Sequence, residues 1–70
     1  MMKISKIISG TLLCPITVGE PALIHQHNGF TRTTVVTNVS KISATEIRFE
    51  TRNTKYVLRV IPMRNVEVSV

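Results

Sequence analysis

The chain has 70 residues, a formal net charge of +5 at pH 7 and one cysteine. This length predicts a single small domain over residues 1–70, and a lone cysteine cannot form an internal disulfide, which argues against a multidomain enzyme and a disulfide scaffold. Valine, isoleucine and threonine (9, 8 and 9 residues) together supply 26 of the 70 residues. Because β-branched side chains favour strands over helices, a helical bundle is also disfavoured.

The amino-terminal residues 1–16 place two lysines before an apolar segment, an arrangement also found in signal peptides. Polar residues, glycine and proline interrupt that segment, and Leu13 stands where a lipoprotein cleavage site needs a small residue before Cys14. We therefore predict that this segment is not a signal peptide and that the protein is cytoplasmic. We also predict a first strand over residues 4–8 and an irregular connection over residues 11–21. Cys14 is expected to be a small buried side chain in a reducing compartment.

The pair Asn28-Gly29 is the strongest turn signal in the chain. Asn-Gly between extended segments favours a two-residue type I′ hairpin, in which both turn residues take a positive φ. The pairs that this turn predicts are His27 with Phe30, His25 with Arg32, Ile24 with Thr33 and Ala22 with Val35. One face of the hairpin, expected to be core, then holds Ala22, Ile24, Thr33 and Val35.

A long strand is predicted next, over residues 32–40, because the first hairpin leads directly into an alternating segment. Alternation is the signal of a strand with one buried face. It directs Val35, Thr37 and Val39 towards the core and Thr34 and Val36 away from it.

A second hairpin is predicted over residues 45–61, where apolar and charged residues alternate most regularly. Two registers keep both apolar sets on one face. The first register places Glu50 opposite Lys55, Glu46 opposite Arg59 and Phe49 opposite Tyr56. The second register opposes cations to cations. Like charges across a strand pair destabilise it, so we predict the first register, with Arg52 and Asn53 at the turn.

These elements, with a short edge strand over residues 66–70, amount to five or six short strands joined by tight turns. We predict an all-β fold, a small SH3-like antiparallel barrel of five or six strands. The alternative is an open sheet that dimerises.

The chain offers few groups for catalysis. Two glutamates of the second hairpin lie four residues apart, about 13 Å along a strand, which is too far for glycosidase geometry. His25 and His27 share a face, but a zinc site needs further ligands, for which Cys14 and Glu20 are the nearest in sequence. A nucleophilic cysteine would need one of these histidines as its base. We expect a protein that is not an enzyme and holds neither a metal nor another cofactor.

Arginine supplies five of the nine cationic residues. Its planar guanidinium matches a phosphate group, and net positive charge steers a protein towards anions. The candidate ligand-binding residues, all expected on outer faces of the two hairpins, are Arg32, Arg48, Arg52, Lys55, Arg59 and His25. A nucleotide, a nucleic acid and an acidic protein surface all fit this pattern, and charge that serves only solubility is the plain alternative. Among the aromatic residues only Phe30 is expected to be free to stack on a base.

Apolar residues are also expected on the outer faces, namely Leu23, Val36, Val57 and Ile61. A small monomer rarely leaves such a patch in water, so we predict a homo-oligomer. Association of several copies would bring their arginines into one pocket, which suits a compact phosphate-rich ligand.

Residues 10–24 (GTLLCPITVGEPALI) and 32–60 (RTTVVTNVSKISATEIRFETRNTKYVLRV) resemble very small uncharacterised proteins of bacteria, their phages and mobile elements. The resemblance implies an SH3-like barrel that binds or inhibits, and some viral proteins of this size block host defence by capturing a nucleotide signal or occluding an enzyme. We therefore expect a non-catalytic oligomeric module that binds a phosphorylated nucleotide or nucleic acid and no membrane. The alternative is a protein inhibitor or structural subunit that docks on an acidic surface of a host protein.

Overall fold

The computed structural model describes residues 3–62, and it confirms an all-β chain. Its six strands, in chain order, are β1 Ile4–Leu12, β2 Pro21–Gln26, β3 Gly29–Val35, β4 Asn38–Lys41, β5 Glu46–Glu50 and β6 Thr54–Val60. The edge strand predicted over residues 66–70 lies outside the described residues.

The strands form one six-stranded sheet in the order β3-β2-β1-β6-β5-β4. β1 runs parallel to β6 over residues 4–10 and pairs antiparallel with β2 at Thr11 and Leu12. The sheet is therefore mixed, and among residues 3–62 no strand pairing joins β3 to β4 to close a barrel. This corrects the predicted antiparallel SH3-like barrel. Alternation along a strand fixes which side chains share a face, but it is the same for parallel and antiparallel neighbours.

β1 changes partner at Gly10, where it approaches β2 closely. A Cβ at this position would lie 2.5 Å from Ile24 Cγ2 and 2.8 Å from the backbone oxygen of His25. Glycine is therefore required for this approach of the two backbones. The strand continues through it to Leu12, whereas the sequence predicted an irregular connection from residue 11.

The core lies on one side of the curved sheet and joins its two halves. Its buried residues come from β2, β5, β6 and the segment after β3: Ala22, Ile24, Val36, Ile47, Phe49 and Leu58. The rings of Phe49 and Tyr56 stack with centroids 4.7 Å apart. Because β2 and β5 stand on opposite sides of β1 and β6 in the sheet, their shared core requires the sheet to curl.

A bulge in β3 decides which valine is buried. Two residues of β3, Thr33 and Thr34, stand opposite the single residue Ala22 of β2. The Ala22 N–H donates to the Thr33 hydroxyl at 3.0 Å, so the side chain substitutes for a backbone acceptor. The extra residue reverses the alternation beyond it. Val36 is therefore 1% exposed and Val35 49% exposed, and the prediction that they face the other way is wrong.

The first hairpin turns earlier than predicted. Gln26 pairs with Gly29, so the turn residues are His27 and Asn28, neither of which takes a positive φ. The predicted type I′ turn and its pairs are therefore wrong. The register moves by two positions, so the same faces point inwards as in the prediction. It also sets the Phe30 ring opposite His25, where the predicted register had set it opposite His27.

The predicted strand over residues 32–40 is divided into β3 and β4. Between them the Val36 N–H donates to the backbone oxygen of Glu20 at 2.9 Å. The Thr37 N–H donates to the backbone oxygen of Glu50 at 2.8 Å. The chain thus leaves β2 and joins β5 within two residues. Thr37, predicted to face the core, is exposed as a result, whereas Val39 packs against the core as predicted.

The register predicted for the second hairpin is confirmed. Glu46 lies opposite Arg59, Phe49 opposite Tyr56 and Glu50 opposite Lys55. Arg52 and Asn53 occupy the turn. The Thr51 N–H closes it by donating to the backbone oxygen of Thr54 at 2.9 Å.

Candidate anion-binding surface

Five of the six predicted ligand-binding residues lie on the outer surface, which we define as the face of the sheet opposite the core. They are exposed, and each alternates along its strand with buried or half-buried residues: His25 on β2, Arg32 on β3, Arg48 on β5, and Lys55 and Arg59 on β6. Arg52 is apart from them. It lies in the β5–β6 turn beside a different groove, lined by Thr34, Val35, Thr37 and Asn53.

The carboxylates of this surface bind cations other than those opposite them. Arg48 Nε donates to Glu46 Oε2 at 2.9 Å along the same strand. Lys3 Nζ donates to Glu50 Oε1 at 2.8 Å from a position 47 residues away in sequence. The cross-strand neighbours predicted for these glutamates, Lys55 and Arg59, consequently make no salt bridge among residues 3–62.

Glu50 is held in its ionised form. The hydrogen bond from Lys3 lowers the pKa of Glu50 below its usual value, burial opposes this shift, and the charges of Lys3 and Lys55 add to it. Lys3 Nζ also donates to the backbone oxygen of Thr51 at 2.9 Å. These two hydrogen bonds hold the Lys3 ammonium group beside the β5–β6 turn.

A groove of about 440 Å³ crosses the outer surface over β4, β5 and β6. Its charged lining residues are Arg48, Lys55 and Glu50, and it also includes three polar side chains that the sequence analysis did not single out, Ser5, Asn38 and Ser40. Hydroxyl, amide and cationic groups of this kind donate hydrogen bonds to phosphate oxygens. Asn38 and Ser40 were missed because one long strand was predicted where β4 forms a separate edge.

The β2–β3 part of the surface carries an exposed aromatic ring. The Phe30 ring lies with its centroid 5.0 Å from that of His25 at an interplanar angle of 52°. Phe30 is 66% exposed although it is a large apolar side chain. The predicted register had placed it opposite His27, at the tip of the turn.

The apolar residues of the outer surface differ from the predicted set, although Ile61 is exposed as expected. Val36 is buried in the core because of the β3 bulge, which corrects its expected outward position. Leu23 and Val57 are half-buried. Ile7, which lies opposite Val57 on β1, is 73% exposed and was not among the predicted residues.

Cys14 is exposed, so the prediction of a small buried thiol is wrong. It follows the end of β1, in a connection where half-buried Ile16, rather than the cysteine, packs against the core. Among residues 3–62, no three His, Cys, Asp or Glu side chains are grouped so that they could hold a metal ion.

Comparisons of the chain with protein-family models, with curated proteins and with solved structures find no match. Across residues 3–62, no helix has the length and apolar character that spanning a membrane requires. The outer surface itself combines exposed cations, carboxylates bound to other cations, and an exposed aromatic ring.

Proposed function

We propose that this protein is a non-catalytic binding module for a phosphorylated anionic ligand, either a nucleotide or a nucleic acid. One observation carries the proposal: Lys55 and Arg59 share the outer face of β6, and neither makes a salt bridge among residues 3–62. An exposed cation that no carboxylate holds in a salt bridge keeps its hydrogen-bond donors free for a ligand.

The surroundings of these two cations support the same role. Glu46 and Glu50 are the acidic residues of the outer surface, and each is held by a different cation, Arg48 or Lys3. The remaining field is positive, in keeping with the net charge of +5. Ser40 and Asn38 add neutral donors at the rim of the groove.

Charge reversal tests this proposal. The double variant K55E/R59E should lose most of its affinity for inorganic polyphosphate and for a fluorescein-labelled oligothymidylate of about 12 nucleotides, measured by competition and by anisotropy. The matched control is K6E/K41E, which makes the same change of net charge. Lys6 and Lys41 pair in register with Tyr56 and Ile47, on the core-facing side of the sheet.

The dependence on salt sharpens the test. Binding to a single strand weakens with salt in proportion to the number of phosphates contacted, with a slope of about −0.7 for each contact in a plot of log affinity against log salt. Losing two contacts should reduce the slope by about 1.4 in K55E/R59E and leave it unchanged in K6E/K41E. Equal losses of affinity in the two variants would mean that net charge alone causes the effect. They would refute a binding site on β6.

A second candidate function is docking on an acidic surface of a partner protein, and the exposure of Ile7 favours it. This side chain is 73% exposed on the cationic surface, opposite Val57. A complex that buries Ile7 would persist at salt concentrations that release a nucleic acid. We propose that a second copy of the chain can use the same contact. Sedimentation velocity of wild type and I7S tests it, since an I7S mass equal to that of wild type would exclude Ile7 from the contact.

The resemblance to small phage and mobile-element proteins gives this proposal a biological setting. Capture of a nucleotide signal of host defence would need only a cationic surface and no catalytic group. Native mass spectrometry of the purified protein tests this setting directly, because a captured nucleotide adds mass that denaturation releases. Protein without added mass would argue against a captured nucleotide and leave nucleic acid or an acidic partner protein.

A further inference from the structure

We infer that the ligand of the outer surface is a single-stranded nucleic acid, with Phe30 as the ring on which a base stacks. The inference rests on the proposed function and names its ligand class. Proteins that bind single strands combine a cationic surface that follows the phosphates with exposed aromatic rings that stack on the bases. The outer surface carries both.

The Phe30 ring is exposed to solvent and also contacts the His25 ring. Its ring is 66% exposed, and the His25 ring contacts it with centroids 5.0 Å apart. The adjacent residue is Gly29, which carries no side chain. One side of the ring is therefore supported by His25, and no neighbouring side chain at position 29 blocks the approach of a planar group.

The ring and the cations belong to one continuous face. Phe30 lies opposite His25, which lies opposite Thr11 of β1. Two residues back along β1, Ser9 lies opposite Arg59. Three strand spacings separate β3 from β6, which is about 14 Å along a flat sheet. A few nucleotides of a flexible single strand cover this distance, with a base at Phe30 and phosphates at the cations.

The ring distinguishes a single strand from inorganic phosphates and from a duplex. Inorganic phosphates offer no planar group to stack, and the bases of a duplex are already stacked on each other. Arg32 follows two residues after Phe30 on the same face of β3, so a phosphate next to the stacked base has a cation within reach.

A tryptophan reporter tests the stack directly, since the chain contains no tryptophan. In F30W, addition of the oligothymidylate should quench the fluorescence, because a stacked base lies against the indole, and inorganic polyphosphate should not. The control is V18W, placed at a residue that is 54% exposed in the connection between β1 and β2. Its fluorescence should not respond. F30W protein that binds the oligonucleotide without any quenching would overturn the inference.

Affinities separate this inference from the proposed function. F30A and F30L should each weaken oligothymidylate binding about 5- to 100-fold, F30Y should retain it, and none of the three should change polyphosphate binding. Full affinity in F30L, or equal affinity for the oligonucleotide and for a duplex with as many phosphates, would overturn the stack and leave the anion site standing. Loss of polyphosphate binding in F30A would also overturn it. Absence of binding to both probes in wild type would overturn both proposals.

Discussion

Arg59 lies opposite Glu46 across β5 and β6, yet the Glu46 carboxylate accepts its hydrogen bond from Arg48 on its own strand, at 2.9 Å. Glu46 thus restrains one cation of the outer surface and leaves the other without a carboxylate partner among residues 3–62. Because the Glu46 carboxylate binds Arg48, the Arg59 guanidinium is the one of the two that a ligand can use.

Removing this carboxylate should strengthen anion binding. In E46Q the Arg48 guanidinium loses its ion pair and gains freedom to contact a phosphate, and an exposed ion pair of this kind is worth up to about 1 kcal/mol. We expect polyphosphate affinity to rise about two- to fivefold at low salt, with the gain shrinking as salt increases. Competition titrations at two salt concentrations measure it. E20Q removes the same charge from the connection before β2, and an equal gain there would assign the effect to net charge alone.

The β3 bulge predicts a contrast between two adjacent valines. V36A removes two methyl groups from a side chain that is 1% exposed, and it should lower the free energy of unfolding by about 1.5–3 kcal/mol. V35A removes the same atoms from a side chain that is 49% exposed, and it should change stability by less than about 0.5 kcal/mol. Urea denaturation measures both variants. The reverse order would mean that β3 keeps unbroken alternation and has no bulge.

The bulge also shows where prediction from the sequence fails. Nothing in the pair Thr33-Thr34 marks an extra residue, because the bulge depends on Ala22 of a neighbouring strand and on its hydrogen bond to a threonine hydroxyl. Alternation alone therefore predicted the wrong valine. By contrast, the register of the second hairpin could be predicted, since four charged residues and the Phe49–Tyr56 pair all favour the same alignment.

For the candidate surface, the sequence predicted which cations face outwards but not which ion pairs they form. Charged residues that alternate along a strand with core-packing residues must face outwards, and this placed Arg48, Lys55 and Arg59 on one surface. The ion pairs were not predictable, because Lys3 reaches Glu50 only through the parallel pairing of β1 with β6. The direction of that pairing leaves no mark on either strand.

Gly10 should tolerate no side chain. In G10A the new methyl group would lie 2.5 Å from Ile24 Cγ2 and 2.8 Å from a backbone oxygen, so β1 and β2 must separate. Overpacking of this kind costs about 1–3 kcal/mol, which is a large share of the stability of a small domain. The control is S9A at the neighbouring exposed position, expected within about 0.5 kcal/mol of wild type. Equal midpoints of urea denaturation for the two variants would contradict the close approach.

The Lys3–Glu50 pair should make stability depend on pH in one direction. Because the pKa of Glu50 is lowered in the folded protein, ionised Glu50 stabilises the fold at pH values above its unfolded pKa. This stabilisation is lost as the pH falls through the lowered, folded pKa, where the carboxyl becomes protonated in both states. E50Q should therefore be less stable than wild type near neutral pH, and the difference should vanish in acid. Urea denaturation midpoints across the acidic range measure it.

The variant K3M provides the control for that series, since it removes the main cause of the lowered pKa and leaves the carboxyl in place. In the K3M background, E50Q should cost less stability at neutral pH, and the pH dependence that Glu50 confers should shrink. The residual effect reports Lys55, whose charge also lowers the pKa of Glu50. An undiminished pH dependence in K3M would place the stabilising cation elsewhere. It would also free Lys3 to act with Lys55 and Arg59 as a third cation available to the ligand.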